Sequence, residues 1–391
     1  MIQASVRSGD IDDVPAQPRA HAAVTRLTLT DFRCYARLRV DFAREPVVLT
    51  GPNGAGKTNV LEALSFLAPG KGLRRAKLSE PDRRVGNEPV GRWAVAAMVE
   101  TGAGTCAVGT GREADSERRS VRIDGATGSQ KDLSTRLSVV WLTPEMDRLF
   151  MEGPSGRRRF LDRLVFGFDP EHAGRVAAYE HCLRERARLL AEGGGDPAWL
   201  DALEDGMARN GIAVAAARAA TVARLDQAAS EGIGPFPAAR LAMAGELDQW
   251  LAAEPALAVE DRLRAVLKNG RAHDAQAGGA IAGPHRGDLA VRFAPKDRPA
   301  AECSTGEQKA LLLSIIIAVA RELIHERGEP PVLLLDEVVA HLDGARRAAL
   351  FDELAALGVQ AWLTGTDDEL FAGLRGRAQF FRVLDATLTP R

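Results

Sequence analysis

Hydrophobic residues alternate with polar ones near the start of the chain, in the pattern of β-strands buried on one face. Leu27 and Leu29 alternate with threonines, and a second alternation runs from Leu38 to Phe42. The continuous apolar run Val47-Val48-Leu49 follows. Such a run is typical of a strand buried on both faces.

Short strand-like segments separated by glycines come next. Trp93–Val99, Cys106–Val108 and Val121–Ile123 predict an antiparallel meander. Val139–Leu142 has the composition of a further buried strand, and Pro144 ends it.

The composition changes after about Gly153, where Arg, Ala, Leu and Glu become frequent. These strong helix formers dominate residues 157–226. Gly193–Pro197 interrupts the pattern, a second helical stretch begins near Trp199, and another spans roughly Asp261–Leu267. We therefore predict a helical domain at 153–279, without the sustained heptads of a long coiled-coil arm.

Strand and helix patterns alternate in the C-terminal third. Leu289–Phe293, Val332–Leu335 and Gln360–Thr364 have the composition of strands, whereas Ala310–Glu326 and Arg346–Leu357 have that of helices. This alternation predicts an α/β fold with a mostly parallel sheet.

A glycine-rich loop follows the first continuous apolar run and precedes a predicted helix near Asn59. It matches the phosphate-binding pattern G-x-x-x-x-G-K-[ST] at every fixed position, with the residues Gly51, Pro52, Asn53, Gly54, Ala55, Gly56, Lys57 and Thr58. In such a loop, backbone N–H groups cradle phosphate oxygens. We expect Lys57 to reach the β- and γ-phosphates of ATP and Thr58 to ligate Mg²⁺. The strand and helix on either side argue against a chance glycine turn.

An acidic pair, Asp336-Glu337, follows the predicted strand Val332–Leu335. Carboxylates at this edge of an open α/β sheet lie where phosphates and Mg²⁺ gather. We expect Asp336 to hold Mg²⁺ and Glu337 to be the base that deprotonates the attacking water. Asp336 follows Lys57 by 279 residues, so the fold must bring the two ends of the chain together.

A polar segment at 304–309 precedes the predicted helix Ala310–Glu326. Ser304 can cap that helix, and N–H groups near Gly306 can bind an anion. We assign to this segment a second γ-phosphate-binding motif, formed by Ser304, Gly306, Glu307 and Gln308. Two such motifs on one nucleotide in one chain would be redundant. We therefore predict that the motif closes over ATP held by a second copy, in a two-fold symmetric homodimer.

Two further polar residues, His341 and Asp343, follow the acidic pair. They belong either to a loop at the dimer interface or to the turn that begins the next helix, with Asp343 as its cap. The sequence favours neither interpretation.

The formal net charge is −2, so nucleic-acid binding would require local basic patches. Two basic clusters supply candidate DNA contacts: Lys71, Arg74, Arg75 and Lys77 in the first, and Arg157 and Arg158 in the second. Taken alone, each cluster is better explained as a solvated surface. Aromatic residues form 5% of the chain and are not interleaved with the clusters. Contact with a duplex backbone is therefore favoured over base stacking.

Other features of the sequence predict a cytoplasmic protein. The four cysteines are too far apart for a zinc knuckle or a C-x-x-C motif, which favours free thiols in a reducing compartment. Residues 1–22 lack the apolar core of a signal peptide, and we expect a flexible tail there. The longest apolar stretch, Ala310–Ala320, is too short to cross a bilayer. We expect no membrane partner.

Together these motifs resemble the RecF family of ABC/SMC-type ATPases. The matching segments run in order along the chain: Leu27–Tyr35, Gly51–Leu64, Lys71–Arg75, Thr143–Glu145, Arg157–Asp162, Gly283–Asp288, Ser304–Lys309, Leu335–Asp343 and Thr364–Thr366. The Gly-Pro-His-Arg turn that begins at Gly283 is the most discriminating, because transporter ATPases lack it. Thr364 stands where those ATPases place a histidine.

The resemblance implies a Rad50-like ABC ATPase head built from 23–152 and 280–391, with 153–279 as an inserted helical domain. It implies an ATP-dependent dimer that hydrolyses ATP slowly and acts in recombinational repair, replication and the SOS response. The implied partners are double-stranded and gapped DNA, single/double-strand junctions, RecR and RecO, which together help to load recombinase.

Two other functions stay open from the sequence. A chromosome-organising head of the SMC/Rad50 type would need a long arm, and the insertion is too short for one. A transporter ATPase subunit would bind a membrane partner instead of DNA. Binding to gapped duplex DNA distinguishes these possibilities.

Overall fold

The computed structural model describes residues 21–114, 116, 118–193 and 196–391. The predicted flexible tail at 1–22 therefore lies outside the described residues, except for His21 and Ala22.

The strands of the described chain fall into three sheets and one short hairpin. They are β1 (Ala23–Phe32), β2 (Tyr35–Asp41), β3 (Val47–Thr50), β4 (Arg84–Val85), β5 (Glu88–Pro89), β6 (Trp93–Thr101), β7 (Gly104–Arg112), β8 (Arg119–Ile123), β9 (Ala126–Thr127), β10 (Val139–Leu142), β11 (Ala239–Ala244), β12 (Asp288–Phe293), β13 (Arg298–Pro299), β14 (Val332–Leu335), β15 (Ala361–Gly365), β16 (Gln379–Leu384) and β17 (Thr387–Pro390).

The α-helices cover the sheets and form most of the middle of the chain. They are α1 (Lys57–Ser65), α2 (Gln130–Arg136), α3 (Pro154–Phe168), α4 (His172–Ala191), α5 (Pro197–Ala229), α6 (Glu246–Ala253), α7 (Ala256–Asn269), α8 (Arg271–Ala277), α9 (Thr305–Arg327) and α10 (Gly344–Leu357).

A central sheet with the order β10-β14-β15-β3-β16-β17 combines strands from both ends of the chain. All neighbours in it are parallel except β16 and β17. The strands β3, β10, β14 and β15 are buried at every residue, as expected for parallel strands covered on both faces. The predicted mostly parallel sheet is confirmed.

A second, antiparallel sheet has the order β2-β1-β6-β7-β8-β9. It contains the meander predicted at 93–123. Inward side chains of this sheet, including Leu27, Leu29 and Trp93, share one apolar core with Val60 and Leu64 of α1 and with one face of the central sheet. This core fixes the helix that begins inside the glycine-rich loop.

The middle of the chain is not helical throughout. Strand β11 lies within 153–279 and pairs antiparallel with β12, and β13 completes a third sheet. Leu289–Phe293 was expected among the head strands, yet it pairs with this middle segment instead. The six-residue pattern of β11 is short, and its partner lies more than 40 residues later in the sequence. Local periodicity does not identify such a partner.

A buried ion cluster joins four helices of the middle segment. Arg186 on α4 is 1% exposed and donates to Glu204 of α5 at 2.9 Å and to Asp274 of α8 at 2.7 Å. It also donates to the carbonyl of Leu267 on α7 at 2.6 Å. Arg271 pairs with the second oxygen of Glu204. Because the three nitrogens of its guanidinium group donate to three other helices, Arg186 fixes the relative positions of all four.

Arg186→Met should lower the free energy of unfolding by about 3–5 kcal/mol, because it leaves buried carboxylates without their cation. Denaturant unfolding followed by circular dichroism measures the change. The control Arg188→Met removes an arginine that is paired on the surface and should change stability by less than about 1 kcal/mol. Equal losses in the two variants would contradict a structural role for the buried cluster.

Candidate nucleotide site

The glycine-rich loop leaves β3 and enters α1 at Lys57, as the sequence predicts. Gly51 has a φ of 148°, and a Cβ atom there would lie 2.2 Å from the carbonyl oxygen of Val383. Gly56 has a φ of 109°, and a Cβ atom there would lie 2.7 Å from the hydroxyl of Tyr35. Only glycine satisfies both the dihedral angle and the close approach at these positions. The loop is thus held tightly against the sheets.

Lys57 is buried within this loop. Its Nζ donates to the carbonyl oxygens of Gly51 at 2.7 Å and Pro52 at 2.9 Å. Burial lowers the pKa of Lys57, and the nearby carboxylates of Glu337 and Asp336 oppose that shift. Phosphate oxygens accept stronger, charge-assisted hydrogen bonds from an ammonium group than carbonyl oxygens do. The loop therefore offers a desolvated positive charge to an anionic ligand.

Asp336 lies beside the loop in space, although the two are far apart in sequence. Thr58 Oγ1 donates to Asp336 Oδ1 at 3.0 Å, although 278 residues separate the two. Thr364 Oγ1, near the end of β15, donates to the same oxygen at 2.7 Å. Burial raises the pKa of Asp336, and the two hydroxyl hydrogen bonds oppose the rise. The two halves of the predicted site thus meet in one chain.

A small cavity lies beside the acidic pair, and its lining includes Thr143, Lys309, Asp336, Glu337 and His341. The hydroxyl of Thr143 is buried and has no hydrogen-bond partner among the described residues. Hydroxyl and carboxylate oxygens are the ligands that Mg²⁺ prefers. Thr58, Asp336 and the unpartnered hydroxyl of Thr143 therefore fit a hydrated Mg²⁺ ion held together with nucleotide phosphates.

Protein ligands alone do not form a metal site in the described ranges. No group of three or more His, Cys, Asp or Glu residues is arranged there to hold a metal ion. A metal at Asp336 would therefore depend on phosphate oxygens to complete its coordination.

Ser304 caps α9, and the capping box predicted by its sequence is present. Its hydroxyl accepts from the N–H of Glu307, and the Glu307 side chain accepts from the N–H of Ser304 at 2.9 Å. Lys296 and the Ser304 groups lower the pKa of Glu307 to about 2. Ser304 and Gly306 are exposed, and a Cβ atom at Gly306 would meet nothing within 4 Å. This helix N-terminus is open to a ligand.

Gln308 points inward, unlike its neighbours in the same segment. It is 1% exposed, and its Nε2 donates to the carbonyl of Cys303 at 2.9 Å. The structure thus favours a role for Gln308 in supporting the turn before α9. The sequence pattern alone places it with the phosphate-binding residues instead.

The two residues after the acidic pair have different surroundings. Asp343 caps α10 by accepting from the N–H of Arg346 at 2.8 Å. This contact supports the interpretation in which Asp343 begins the next helix. His341 is exposed at the rim of the cavity that holds Asp336 and Glu337.

The second basic cluster is engaged inside the protein. Arg157 makes a bidentate ion pair with Asp288 at 2.8 and 2.7 Å and also donates to three carbonyl oxygens, those of Leu149, Phe150 and Glu152. Arg158 donates to the carbonyl of Gly287 at 2.7 Å. The structure therefore favours a role for Arg157 in joining α3 to β12, contrary to its selection as a DNA contact. Sequence spacing could not reveal a partner 131 residues away.

The first basic cluster is mostly exposed. Lys71, Arg75 and Lys77 are exposed and have no ion pair with another described residue. Arg74 differs, because it pairs with the buried carboxylate of Glu62 on α1 at 2.8 Å. Arg33 holds the other oxygen of Glu62, so these two arginines tie α1 to neighbouring loops.

A cleft of about 590 Å³ separates this loop from the start of the middle segment. Its lining includes five cations, Lys71, Arg75, Arg148, Arg159 and Arg163, and four acids, Glu145, Glu152, Asp162 and Glu180. Burial, followed by the positive charge of Arg75, lowers the pKa of Arg159. The cations and acids of the lining nearly balance in number, so the cleft as a whole carries little net charge.

The turn Gly283–Asp288 connects the middle helices to the head. The hydroxyl of Tyr179 and Nδ1 of His285 lie 2.6 Å apart, and Arg218 donates to the carbonyl of Pro284 at 2.7 Å. Burial lowers the pKa of His285. These contacts indicate that the turn is a structural joint in which His285 is a hydrogen-bonding partner.

Comparison with known proteins agrees with this geometry. A family described as the RecF/RecN/SMC N-terminal domain matches residues 23–384. The chain is 52% identical over 382 residues to a DNA replication and repair protein RecF of Caulobacter vibrioides, covering 95% of this chain and 98% of that protein. It is 49% identical over 378 residues to the protein of the same name from Mesorhizobium japonicum, again covering 95% and 98%.

Solved structures show the same fold at low sequence identity. The recombination mediator protein RecF-ATPrS in the RecFOR pathway superposes with a TM-score of 0.82 at 22% identity, covering 95% of this chain and 98% of that one. The Smc head domain from Pyrococcus furiosus superposes with a TM-score of 0.53 at 17% identity, covering 95% and 96%. The predicted SMC/Rad50-like ATPase head is confirmed.

No helix in the described ranges is both long enough and apolar enough to cross a membrane.

Asp336→Asn should raise the melting temperature of the nucleotide-free protein by a few degrees, while abolishing ATP hydrolysis. Burial raises the pKa of Asp336, so the folded state disfavours the charged form, and stability falls as pH rises through that pKa. A neutral amide removes this penalty at pH 7 and still accepts from Thr58 and Thr364. Differential scanning calorimetry measures the change.

Asp385→Asn is the matched control, because Asp385 is exposed and already has a positive φ. It should leave the melting temperature within about 1 °C. A lower melting temperature for Asp336→Asn would contradict the inferred penalty.

Proposed function

The chain belongs to the RecF family of SMC-type ATPases, and from that premise we propose that it is an ATP-switched DNA-binding protein of replication and recombinational repair. The hydrogen bond between Thr58 and Asp336 supports this proposal most directly, because it joins the phosphate-binding loop to the acidic pair. Relatives 52% and 49% identical carry the name DNA replication and repair protein RecF.

In this proposal the chain hydrolyses ATP slowly, with Mg²⁺ and with help from DNA. The backbone of Gly51–Thr58 and the ammonium of Lys57 bind the phosphates, and Thr58 and Asp336 hold the metal. Bound Mg²⁺ would neutralise charge that develops on the phosphate oxygens. Glu337 orients the attacking water and takes its proton.

A second copy of the chain completes each site. Ser304 and Gly306 lie at an open helix N-terminus, and such a terminus favours an anion through its free N–H groups and its dipole. The side-chain hydrogen bonds and ion pairs of this segment within the described chain involve Lys296, Cys303, Asp147 and its own residues. The N–H groups of Thr305 and Gly306, which the capping box does not use, remain available for the γ-phosphate of ATP held by a partner copy.

Binding to DNA uses the exposed cations of the first basic cluster. Lys71, Arg75 and Lys77 can neutralise backbone phosphates of a duplex without reading its sequence. We propose gapped duplexes and single/double-strand junctions as the preferred DNA, with RecR and RecO as partners in loading recombinase. A solved structure with the same fold is that of a recombination mediator protein RecF in the RecFOR pathway, which supports this part of the proposal.

The alternative of a chromosome-organising head has less support. The longest described helix, α5, has 33 residues, which corresponds to about 50 Å. It packs against α4, α7 and β11 and does not project as a rod.

Glu337→Gln should trap an ATP-bound dimer, because it removes the base and keeps every phosphate contact. Hydrolysis should fall by about 100-fold or more. Light scattering with ATP should show the mass rising from that of a 41.8 kDa monomer toward twice that value. Lys57→Met is the control and should stay monomeric with ATP. A monomeric Glu337→Gln protein with ATP bound would rule out the shared site.

Replacing the three exposed cations should weaken DNA binding and its dependence on salt. The variant carries Lys71→Gln, Arg75→Asn and Lys77→Gln; asparagine is chosen at 75 because φ is 55° there and asparagine tolerates it. The slope of log K against log salt is negative, and each lost phosphate contact should reduce its magnitude by about 1. The three substitutions together should therefore reduce the magnitude by about 3. Mobility shifts of a gapped duplex with ATP, over a salt series, measure the slope.

The matched control removes three exposed arginines outside the cleft: Arg37→Gln, Arg39→Gln and Arg122→Gln. Its slope should equal that of the unchanged protein. If both triple variants lose affinity equally, DNA binding reflects overall charge and not the proposed surface.

A further inference from the structure

Thr364 is the second-last residue of β15 and lies beside the acidic pair, and its hydroxyl makes two hydrogen bonds. It donates to Asp336 Oδ1 at 2.7 Å and accepts from the backbone N–H of Glu337 at 2.9 Å. The residue is 1% exposed. In the parallel pairing of β14 with β15, Leu335 lies opposite Leu363. The residue that follows each of them therefore reaches the same edge of the sheet.

The backbone at Glu337 needs this support. Its φ is 55° and its ψ is 13°, in the left-handed region. A residue other than glycine is uncommon there and persists only when its surroundings hold it. The hydrogen bond to Thr364 holds the N–H of Glu337 toward the sheet, which fixes the direction in which this residue leaves the strand. The same hydroxyl fixes the carboxylate of Asp336, so one group sets the relative position of both acids.

We propose that Thr364 is a positioning residue for ATP hydrolysis, which holds Asp336 and Glu337 in their working arrangement through its single hydroxyl. The proposal rests on the function proposed above for those two residues. This hydroxyl reaches the phosphate-binding loop through Asp336, whose Oδ1 also accepts from Thr58. The rest of the loop is held in other ways, because Lys57 bonds to Gly51 and Pro52 and the loop packs against Val383 and Tyr35. Loss of the hydroxyl should therefore affect kcat and spare ATP binding.

Thr364→Val is the central test, since valine keeps the shape of threonine and removes only the hydroxyl. We expect kcat for ATP hydrolysis to fall by about 10- to 100-fold, the scale expected when a catalytic group is misplaced by about 1 Å. The dissociation constant of a fluorescent ATP analogue should stay within about 3-fold of that of the unchanged chain. Thr364→Ser keeps the hydroxyl and should retain kcat within about 3-fold. Thr364→Ala serves as a second hydroxyl-free variant if the valine chain does not fold.

Three results would overturn the proposal. The first is an unchanged kcat in a folded Thr364→Val or Thr364→Ala protein. The second is an equal loss of kcat in the serine and valine variants, which would point to packing of the methyl group. The third is a parallel loss of ATP affinity, which would point to a general disruption of the site.

Glu337→Gln, measured in the same assay, separates this proposal from the function on which it rests. If Glu337→Gln hydrolyses ATP at the rate of the unchanged chain, the assignment of Glu337 as the base is wrong, whatever Thr364 does. If Glu337→Gln is inactive and Thr364→Val is fully active, only the role of Thr364 is wrong.

Discussion

Parallel pairing of β3 with β15, and of β15 with β14, holds the two ends of the chain at one site. Leu49 pairs with Thr364, and Leu335 pairs with Leu363, so the loop after β3 and the acids after β14 leave the same sheet edge. The pairing uses apolar strands with no exposed residue. Their burial stabilises the sheet and places the polar residues that follow it at its carboxyl edge.

One apolar core joins the middle segment to this head, because Phe160 of α3 and Val222 of α5 share it with Ile316 of α9. Charged and polar contacts add to this junction. Arg157 and Asp288 link α3 to β12, and Arg218 bonds to both the Asp162 carboxylate and the Pro284 carbonyl. Buried pairs of this kind lose much of their energy if one partner moves. A change in the turn at 283–288 would therefore disturb the contacts of Arg157 and of Arg218 together.

Local chemistry made much of the site predictable from the sequence. Positive φ angles in Gly51–Thr58, the capping box at Ser304 and the buried strand before Asp336 each follow from a few adjacent residues. The partners of β11 and Arg157 were not predictable in this way, because each lies at least 40 residues away and is selected by packing. The two hydrogen bonds of Thr364 likewise depend on the register between β14 and β15. That register cannot be predicted from the residues around Thr364 alone.

A mixing experiment tests most directly whether a second copy completes the ATP site. One chain carries Lys57→Ala and the other Ser304→Arg, so each alone should be inactive. In a mixed dimer, one site combines the intact loop of one chain with the intact Ser304 segment of the other. Sharing between copies predicts that mixing restores ATP hydrolysis that neither chain shows alone, because each mixed dimer has one complete site. No recovery, in mixtures shown to contain dimers, would contradict it.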